Sequence, residues 1–428
     1  MSKIAQLKIF LFCLTLLCGT ASAETISWPS AVEITTKNNA ELRGARADFD
    51  STQALENSAK SGYLPVVTGT LSATKSNTPV VSGSGAVVGG NRTATTYSAT
   101  LSASENIFNG LADLGRTQQA EANTRVAAAT LQTVRAKASR DLKANFESLT
   151  YSKESVRLTS EILKRREDNL RLVELRFESG RENKGSVLLS RAYLNQARYE
   201  NLQAKNAVSR ARVDLAKTLG IDDESTLDVT GEVPLDPPPS ADLAWTKLAS
   251  ETPDHVKSAA QEDAAMAATT IARSGFFPTL GLTGSAGRQG DRFFPEDHRW
   301  SVGLNLTFPL FSGFKDYANL KSAIASRVSS LESRVSVDRD LLVRLKQARN
   351  DFEEAFEKLK VDESFRDAAQ TRAEIARNKY NNGLQTFDDW DIIESDLINR
   401  QKVALASKQN RVVNEAAWEQ VQGKGILP

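Results

Sequence analysis

The chain has 428 residues, with 54 Lys and Arg against 53 Asp and Glu. Lys3 and Lys8 lie in a predicted leader, so the rest carries 52 basic and 53 acidic residues, a balance of −1 that excludes a basic field for nucleic acid. Both cysteines, Cys13 and Cys18, lie in the same leader, which excludes a disulfide framework and cysteine chemistry elsewhere.

The first 23 residues, 1–23, have the pattern of a secretory signal. An apolar run follows the basic start, and the small residues at 21–23 predict cleavage before Glu24. A transmembrane anchor is disfavoured, because spanning a bilayer takes roughly 20 apolar residues. Lipidation of Cys18 is the other alternative, and it is disfavoured because bulky Leu17 stands where lipoprotein signals carry a small residue.

The next part of the chain predicts one helix and two strands. The helix covers residues 28–60 and ends before a Gly and a Pro. Residues 65–74 alternate between apolar and polar side chains, as do residues 95–108, which is typical of strands with one polar face. A loop rich in Gly and Ser, residues 82–90, separates them. The two strands therefore form a hairpin with a long tip.

A long helix follows from residue 111 to residue 177. At 1.5 Å per residue it would extend roughly 100 Å, which requires coiled-coil packing rather than a compact domain. Gly180 is a natural helix end, and a return helix of about half that length runs to Leu219. Residues 221–240 are proline-rich and form a linker. The predicted packing positions of the long helix are Val134, Ala138, Leu142, Phe146 and Leu149.

The second half of the chain repeats this plan. It predicts a helix over 241–274, a strand from residue 278, a loop over 291–297 and a returning strand over 300–310. Alternation in the returning strand fits a lipid-facing strand and a strand on a soluble core equally well. Its apolar positions are Trp300, Val302, Leu304, Leu306, Phe308 and Leu310.

Another long helix covers residues 316–380 and ends at a second glycine turn. After Gly383, Thr386 and Asp389 predict a capping box that opens a last helix to about residue 422, followed by a short tail over 423–428. The heptad-spaced apolar residues of the long helix are Leu342, Leu345, Phe352, Phe356 and Leu359.

Landmarks of the two halves recur at one spacing. Phe108 and Phe311, near the strand ends, are 203 residues apart, and so are Phe177 and Tyr380 at the helix ends. The chain is therefore a duplicated helix-strand-strand-helix-helix unit. The predicted repeats cover residues 24–220 and 241–422, the strand regions about 65–108 and 278–311, and the tip turns about 178–186 and 381–389.

Strand number predicts the assembly. Four strands per chain cannot close a barrel, since small closed barrels need about eight. The strand edges must therefore be paired by other copies, and three copies would supply twelve strands. Two short helices placed end to end match one long helix in length, which favours a long rod with the strands at one end and the glycine turns near the other.

The chain resembles the TolC-like outer membrane efflux proteins. The resemblance rests on the duplicated element order, on Gly-Tyr-Leu-Pro at 62–65 and Gly-Phe-Phe-Pro at 275–278, on Phe-Asn-Gly at 108–110 and Phe-Ser-Gly at 311–313, and on the aromatic-x-x-glycine turns. It implies a mainly α fold with a membrane β-barrel: a homotrimer whose twelve-stranded barrel continues as an α-helical coiled-coil barrel.

The same resemblance implies a function. Family members are channels of efflux pumps or type I secretion systems, and they work with a periplasmic adaptor and an inner-membrane transporter. The expected location is the outer membrane, in contact with its lipid, with a helical tunnel in the periplasm. No enzymatic activity and no cofactor are expected.

The resemblance also implies a gate and docking tip at the two turns, around Gly180 and Gly383. An aspartate six residues after the second turn glycine lines the aperture in the family, and that position is Asp389 here. Asp388 and Asp391 lie beside it, and for them capping of the helix N-terminus is an equal alternative.

A tyrosine ties the closed gate in related channels, and Tyr380 holds that position here. The sequence departs from one familiar pattern, because Ser186 stands where an acid occurs and Gln385 where a basic residue occurs. Arg181 and Lys184 are therefore the predicted partners of the acidic second turn.

Enzymatic interpretations find little support. His255 and His298 have no second metal ligand at a suitable spacing, and no set of nucleophile, base and oxyanion donors is recognisable. A soluble periplasmic coiled-coil scaffold or pump adaptor is the alternative function. It would not require two lipid-compatible hairpins at matched places.

Overall fold

The computed structural model describes residues 25–81, 87–222, 227–240 and 242–428. The predicted signal segment, 1–23, and residues 82–86 of the Gly- and Ser-rich loop lie outside the described residues. The order of elements confirms the duplicated unit. In chain order the strands and helices are β1 Thr25–Ser27, α1 Trp28–Asn38, α2 Ala40–Ala59, β2 Val66–Val81, β3 Val87–Asn109, α3 Ala112–Glu178, α4 Lys184–Leu219, β4 Asp228–Thr230, α5 Trp245–Ser250, α6 Pro253–Ser274, β5 Thr279–Gly290, β6 Asp297–Thr307, α7 Lys315–Asn381 and α8 Phe387–Val421.

The long helices match their predicted bounds within one residue. Helices α3 and α7 each have 67 residues, and the return helices α4 and α8 have 36 and 35. The predicted ratio of about two to one is confirmed. Among the described residues, none of the helices combines the length and the apolar character that crossing a membrane requires.

Two predicted helices are each broken in two. The helix predicted over 28–60 is interrupted at Asn39, whose side chain donates to the Thr218 carbonyl (2.9 Å) and accepts from the Leu42 amide (2.9 Å). The Asn39 side chain caps the first turn of α2, and this hydrogen bond to the backbone competes with the continuation of α1. The helix predicted over 241–274 begins at Trp245 and breaks before Pro253, because proline lacks the backbone donor that a continuous helix needs.

The chain forms two compact units, which are described separately. One consists of residues 45–131 and 253–340 and contains an antiparallel sheet with the strand order β2-β3-β5-β6. Its register pairs Thr70 with Thr100 and Leu101 with Ala286. A predicted apolar stripe is exposed on β6, where Trp300 is 79% and Leu306 70% accessible. The predicted strand is therefore confirmed, and both of its faces are largely exposed in the single chain.

Strand lengths differ from the predictions. Strands β2 and β3 extend past residues 74 and 95 through a Ser- and Thr-rich stretch, with Ser76 opposite Ala94 and Thr78 opposite Arg92. Backbone hydrogen bonds pair the strands in this part of the sheet. The sequence shows no alternation of apolar and polar residues there, so the longer strands were not predicted. Strand β6 ends at Thr307 rather than at residue 310, since Pro309 cannot donate to the ladder.

The other unit consists of residues up to 44, 132–252 and 341–428. Its largest apolar cluster gathers Trp28, Leu142, Phe146, Leu149 and Leu215, each no more than 6% exposed. The Trp28 and Phe146 rings meet edge-on with centroids 5.3 Å apart. Four of the five packing positions predicted for α3 are buried, which confirms its inward face, and only Val134 is partly exposed.

The predicted linker, residues 221–240, contains a short strand that was not predicted from the sequence. Strand β4 pairs in parallel with β1, with Thr25 opposite Asp228 and Ser27 opposite Thr230. Lys153 donates to Asp228 at 2.7 Å. Three residues are too few for a periodic pattern, so only the fold defines this ladder.

Candidate functional site: the two helix turns

Both turns use the same backbone geometry. Helix α3 turns at Gly180 (φ +70°) and α7 at Gly383 (φ +74°). Backbone bonds from Arg181 N to the Arg176 carbonyl and from Leu384 N to the Lys379 carbonyl, each 2.8 Å, close the two ends. A positive φ is accessible to glycine at little cost. The two turn glycines identified in the sequence are thus required by the backbone.

The next helix is capped in both repeats. Asn183 accepts a hydrogen bond from the Ser186 amide (3.0 Å), and Thr386 accepts one from the Asp389 amide (3.2 Å). The Thr386 hydroxyl also donates to Asp389 Oδ2 at 2.7 Å. The predicted N-cap by Thr386 is therefore confirmed, with the Asp389 carboxylate bonded to the Thr386 hydroxyl. It fixes the Asp389 carboxylate at the exposed start of α8, next to exposed Asp388.

An aromatic stack fills the second turn. The Tyr380 ring is fully buried and lies parallel to the Trp390 ring at 4.4 Å, with Phe387 edge-on to both. The Arg176 guanidinium covers the Tyr380 ring, 4.4 Å from its centroid, and donates to the Tyr380 carbonyl at 2.7 Å. Stacking and a cation–π contact hold the tyrosine in one position. Val173 of α3 completes the cluster.

The Tyr380 hydroxyl links the two turns. It donates to Glu182 Oε2 at 3.0 Å, and Ser186 donates its hydroxyl to the other oxygen of that carboxylate at 3.0 Å. Burial and the nearby Glu182 carboxylate raise the pKa of Tyr380 well above its usual value, so the phenol remains a donor. Glu182 therefore supplies the acid that is absent at position 186.

Two arginine–carboxylate pairs join α3 to α8. Arg165 lies 3.1 Å from Glu394, which is fully buried, and Arg166 lies 3.2 Å from Asp391. Arg166 also donates to Ser395 at 3.0 Å. Asp391 is thus paired with an arginine in the structure, rather than serving only as a helix cap.

Arg181 and Lys184 are exposed, and in the described part of the chain neither forms an ion pair. These two residues were predicted to link the turns, whereas the link within one chain runs through Glu182. Glu182 lies in the predicted turn, directly before the Asn183 cap of α4, and its position in that turn was the available signal. Arg165, Arg166, Arg176 and Trp390 carried no signal that the sequence analysis used.

A groove of about 770 Å³ lies between α7 and α8 at this turn. Apolar Ile375 and Leu384 line it beside polar Arg372, Lys379 and Asp389. Among the described residues, no cluster of three or more His, Cys, Asp or Glu side chains could hold a metal ion. A surface of mixed apolar and charged residues suits the binding of another protein segment.

Comparisons with known proteins agree on one family. A family model described as outer membrane efflux protein matches residues 31–221 and 246–424. The probable outer membrane lipoprotein SilC of Salmonella typhimurium is 23% identical over 61% of this chain and 58% of its own length. The alkaline protease secretion protein AprF of Pseudomonas aeruginosa is 24% identical over 57% and 51%. The chain thus spans less than two thirds of the length of these curated relatives.

A solved structure shares the fold over nearly the whole chain. The CmeC outer membrane channel of Campylobacter jejuni has a TM-score of 0.83 at 16% identity and covers 93% of this chain and 86% of its own. The predicted mainly α fold with a strand domain and the predicted outer-membrane location are confirmed, whereas the predicted trimeric barrel stays a prediction. With a family match over most of its length, the chain belongs to the outer membrane efflux protein family.

Proposed function

We propose that this chain forms a trimeric outer membrane channel of an efflux pump or secretion system. The observation that carries the proposal is the sheet β2-β3-β5-β6, in which β2 and β6 each have only one strand neighbour among the described residues. Free strand edges invite pairing with another chain. Pairing β6 of one copy with β2 of the next closes twelve strands in a trimer.

The exposed stripe of β6 gives this barrel a lipid-facing surface. Trp300, Val302, Leu304 and Leu306 are 64–79% exposed in the single chain. Water-exposed apolar stripes of this size are unfavourable, whereas apolar outward faces with aromatic ends suit a bilayer. The proposed duct has no chemistry of its own.

The gate of the proposed channel lies at the turns. Three symmetry copies of Asp389, with Asp388 beside them, would surround a narrow opening and attract cations. The bond between Tyr380 and Glu182 would hold each second turn to the first turn of its own chain. Arg181 and Lys184 stay available to acids of a neighbouring copy, and charge reversal at Arg181 should then increase conductance or antibiotic leak.

The turns around Gly180 and Gly383 are the proposed docking tip for a periplasmic adaptor, which would connect the channel to an inner-membrane transporter. The groove between α7 and α8 offers an adaptor helix both apolar and charged contacts. A wide duct makes little selective contact with its cargo, so choice of substrate would rest with the transporter.

Planar-bilayer recording tests the proposal. We expect small, cation-selective openings from the purified protein and a loss of cation selectivity in Asp389→Asn, which keeps an acceptor for Thr386 but removes the charge. Asp389→Ala removes both the charge and the acceptor for Thr386. A larger change in selectivity than in Asp389→Asn would therefore measure the contribution of the hydrogen bond to Thr386. Asp367→Asn, at an exposed acid of α7, is the matched control.

The outcomes separate the parts of the proposal. Pores that are indifferent to Asp389→Asn would retain the channel and reject Asp389 as its selectivity filter. Failure to insert, with the protein recovered in soluble periplasm, would reject the channel in favour of a periplasmic scaffold.

A further inference from the structure

Helix α4 has a row of exposed apolar side chains on the side that faces away from its own chain. Leu188, Tyr199 and Leu202 are 55–64% exposed, and their spacing places them within about 60° of one another around the helix. Asn201 is buried on the opposite side of α4, where it donates to Ser160 of α3 at 2.8 Å. We name Leu188, Tyr199 and Leu202 the α4 stripe.

Helix α7 has a similar row. Val361, Phe365 and Ile375 are 50–52% exposed and fall within about 80° of one another around the helix. The Arg400 guanidinium of α8 covers one face of the Phe365 ring, 4.6 Å from its centroid. We name Val361, Phe365 and Ile375 the α7 stripe. Single exposed apolar residues are common, but apolar residues aligned along one face of a helix indicate a packing surface.

The two stripes lie at equal distances from the two turns. Counted from Gly180 and Gly383, each residue of one stripe has a counterpart in the other stripe at the same distance, within one residue. The pairs are Leu188 with Ile375, eight residues away, Tyr199 with Phe365, 19 and 18 residues away, and Leu202 with Val361, 22 residues away. A helix rises 1.5 Å per residue, so the pairs lie about 12, 28 and 33 Å from the turns. Because α4 leaves its turn and α7 approaches its turn, the stripes match in an antiparallel arrangement.

Charges are complementary further along the same two helices. Arg210 of α4 and Glu354 of α7 are 30 and 29 residues from their turn glycines, and both are exposed on the same side as the stripes. Neither forms an ion pair in the part of the chain that the structure describes. Arg191 and Arg372, both 11 residues from the glycines, already pair with acids of their own chain. An antiparallel contact therefore brings an unpaired base to an unpaired acid.

We propose that the α4 stripe packs against the α7 stripe of the next copy of this chain, in an antiparallel seam that also pairs Arg210 with Glu354. The inference rests on the proposed trimer and names the helical surfaces that hold its copies together. Within one chain, α4 and α7 both pack on α8, since Glu200 accepts from Lys402 at 2.7 Å and Asp362 accepts from Ser407. Neither stripe is covered by these contacts.

The order of the chain gives the helices the same neighbours as the strands. Helix α7 follows β6, and Asn39, which leads through α2 into β2, donates to the Thr218 carbonyl in the last turn of α4. The strands β6 and β2 are the free edges of the sheet, so the seam continues the strand pairing of the proposed trimer. Ile375 also lines the groove at the second turn, and Leu188 of the next copy completes its wall.

Disulfide cross-linking of the purified protein tests the seam, because both native cysteines lie in the predicted leader. After oxidation, Leu188→Cys/Ile375→Cys and Leu202→Cys/Val361→Cys should each give dimer and trimer bands in denaturing gels, and reduction should remove these bands. The matched control is the crossed pair Leu188→Cys/Val361→Cys. Its positions are offset by 14 residues, or about 21 Å, which exceeds the reach of a disulfide, so it should stay monomeric.

Charge reversal is a second test. Arg210→Glu and Glu354→Arg each place like charges opposite one another, so each should lower the fraction of trimer in detergent several-fold at a fixed protein concentration. The double variant Arg210→Glu/Glu354→Arg restores opposite charges and should recover the trimer. Light scattering measures the trimer fraction, and the far-ultraviolet spectrum of each variant reports its folding.

The outcomes separate the seam from the trimer. A wild-type trimer whose matched cysteine pairs stay monomeric in gels would overturn the seam and leave the trimeric channel intact, as would equal cross-linking of the crossed pair. A wild-type protein that is monomeric by light scattering would overturn both proposals. A folded double charge variant that does not recover the trimer would overturn the pairing of Arg210 with Glu354.

Discussion

The two turns share a backbone but differ in how they are anchored. Their glycines, Gly180 and Gly383, and their capping residues, Asn183 and Thr386, are each 203 residues apart. At that same spacing, Phe177 is 43% exposed, whereas its counterpart Tyr380 is fully buried. The two repeats therefore share the backbone of the turn. Their side chains differ, so that the aromatic residue before the glycine is buried only in the second turn.

Charge differs between the repeats in the same way. Glu394 of α8 is fully buried beside Arg165, and the residue 203 positions before it is Arg191 of α4. Arg191 pairs with Glu174 at 2.9 Å, but both side chains are largely exposed. Exposed pairs contribute little, whereas loss of one partner of a buried pair is costly. Helix α8 should therefore be the more firmly held of the two return helices.

Removal of the buried ion pair between Arg165 and Glu394 should have the strongest consequence. Arg165→Ala leaves the Glu394 carboxylate buried without a cation, which should destabilise the packing of α8 by about 3 to 5 kcal/mol. Hydrogen exchange of the α8 amides and the thermal midpoint of the purified protein measure the loss.

Two variants control that experiment. Arg191→Ala, which removes the exposed pair of the first repeat, should cost less than about 1 kcal/mol. Adding Glu394→Gln to Arg165→Ala should restore part of the protection, because the uncompensated charge is gone. Equal losses for Arg165→Ala and Arg191→Ala would refute the difference between the repeats.

A second difference between equivalent positions predicts a pH dependence. Glu147 of α3 is 6% exposed, whereas Asn350, its counterpart in α7, is exposed. Burial raises the pKa of Glu147 to about 7, with Lys408 opposing the shift and Glu154 adding to it. The folded chain thus binds this proton more tightly than the unfolded chain, whose glutamates titrate near about 4.3.

The sign follows from that order of pKa values. Stability should be greatest below about pH 4.3 with respect to this group, fall as pH rises to about 7, and then level off, with a total loss of about 4 kcal/mol. Glu147→Gln should remove that slope from thermal midpoints recorded between about pH 5 and 8, a range that covers most of the fall and the plateau above it. Glu167→Gln, at an exposed glutamate of the same helix, should retain it.

The weakest of these perturbations replaces a residue of the second repeat by its counterpart in the first. Tyr380→Phe gives the second turn the residue type that Phe177 provides in the first, and it removes only the bond to Glu182. A hydrogen bond to a charged acceptor contributes about 1.5 kcal/mol, so the turn should open more often. Single-channel recording should then show a higher open probability, with stacking on Trp390 preserved.

Tyr199→Phe, at an exposed tyrosine of α4, is the control for removal of a phenol and should behave as wild type. An unchanged open probability in Tyr380→Phe would mean that the bond between the turns does not restrain the gate.

The repeats and most of their helices and strands can be predicted from the amino-acid sequence alone. Glycine at the turns and an uninterrupted polar helix pattern are local signals, and the repeat of 203 residues is visible in the sequence, so α3 and α7 were predicted within one residue. The cap formed by Thr386 and Asp389 is local as well. The breaks at Asn39 and before Pro253 were missed, because helical propensity on both sides of them is high.

Which charged side chains contact each other depends on how the distant helices pack. Glu182 and Tyr380 are 198 residues apart, and Arg165 and Glu394 are 229 apart, so no local pattern relates them. Pairing between distant helices depends on which face each helix buries. Arg181 and Glu182 are neighbours in sequence but point to different surroundings. Arg181 is exposed at the first turn, whereas Glu182 contacts Tyr380 of the second turn.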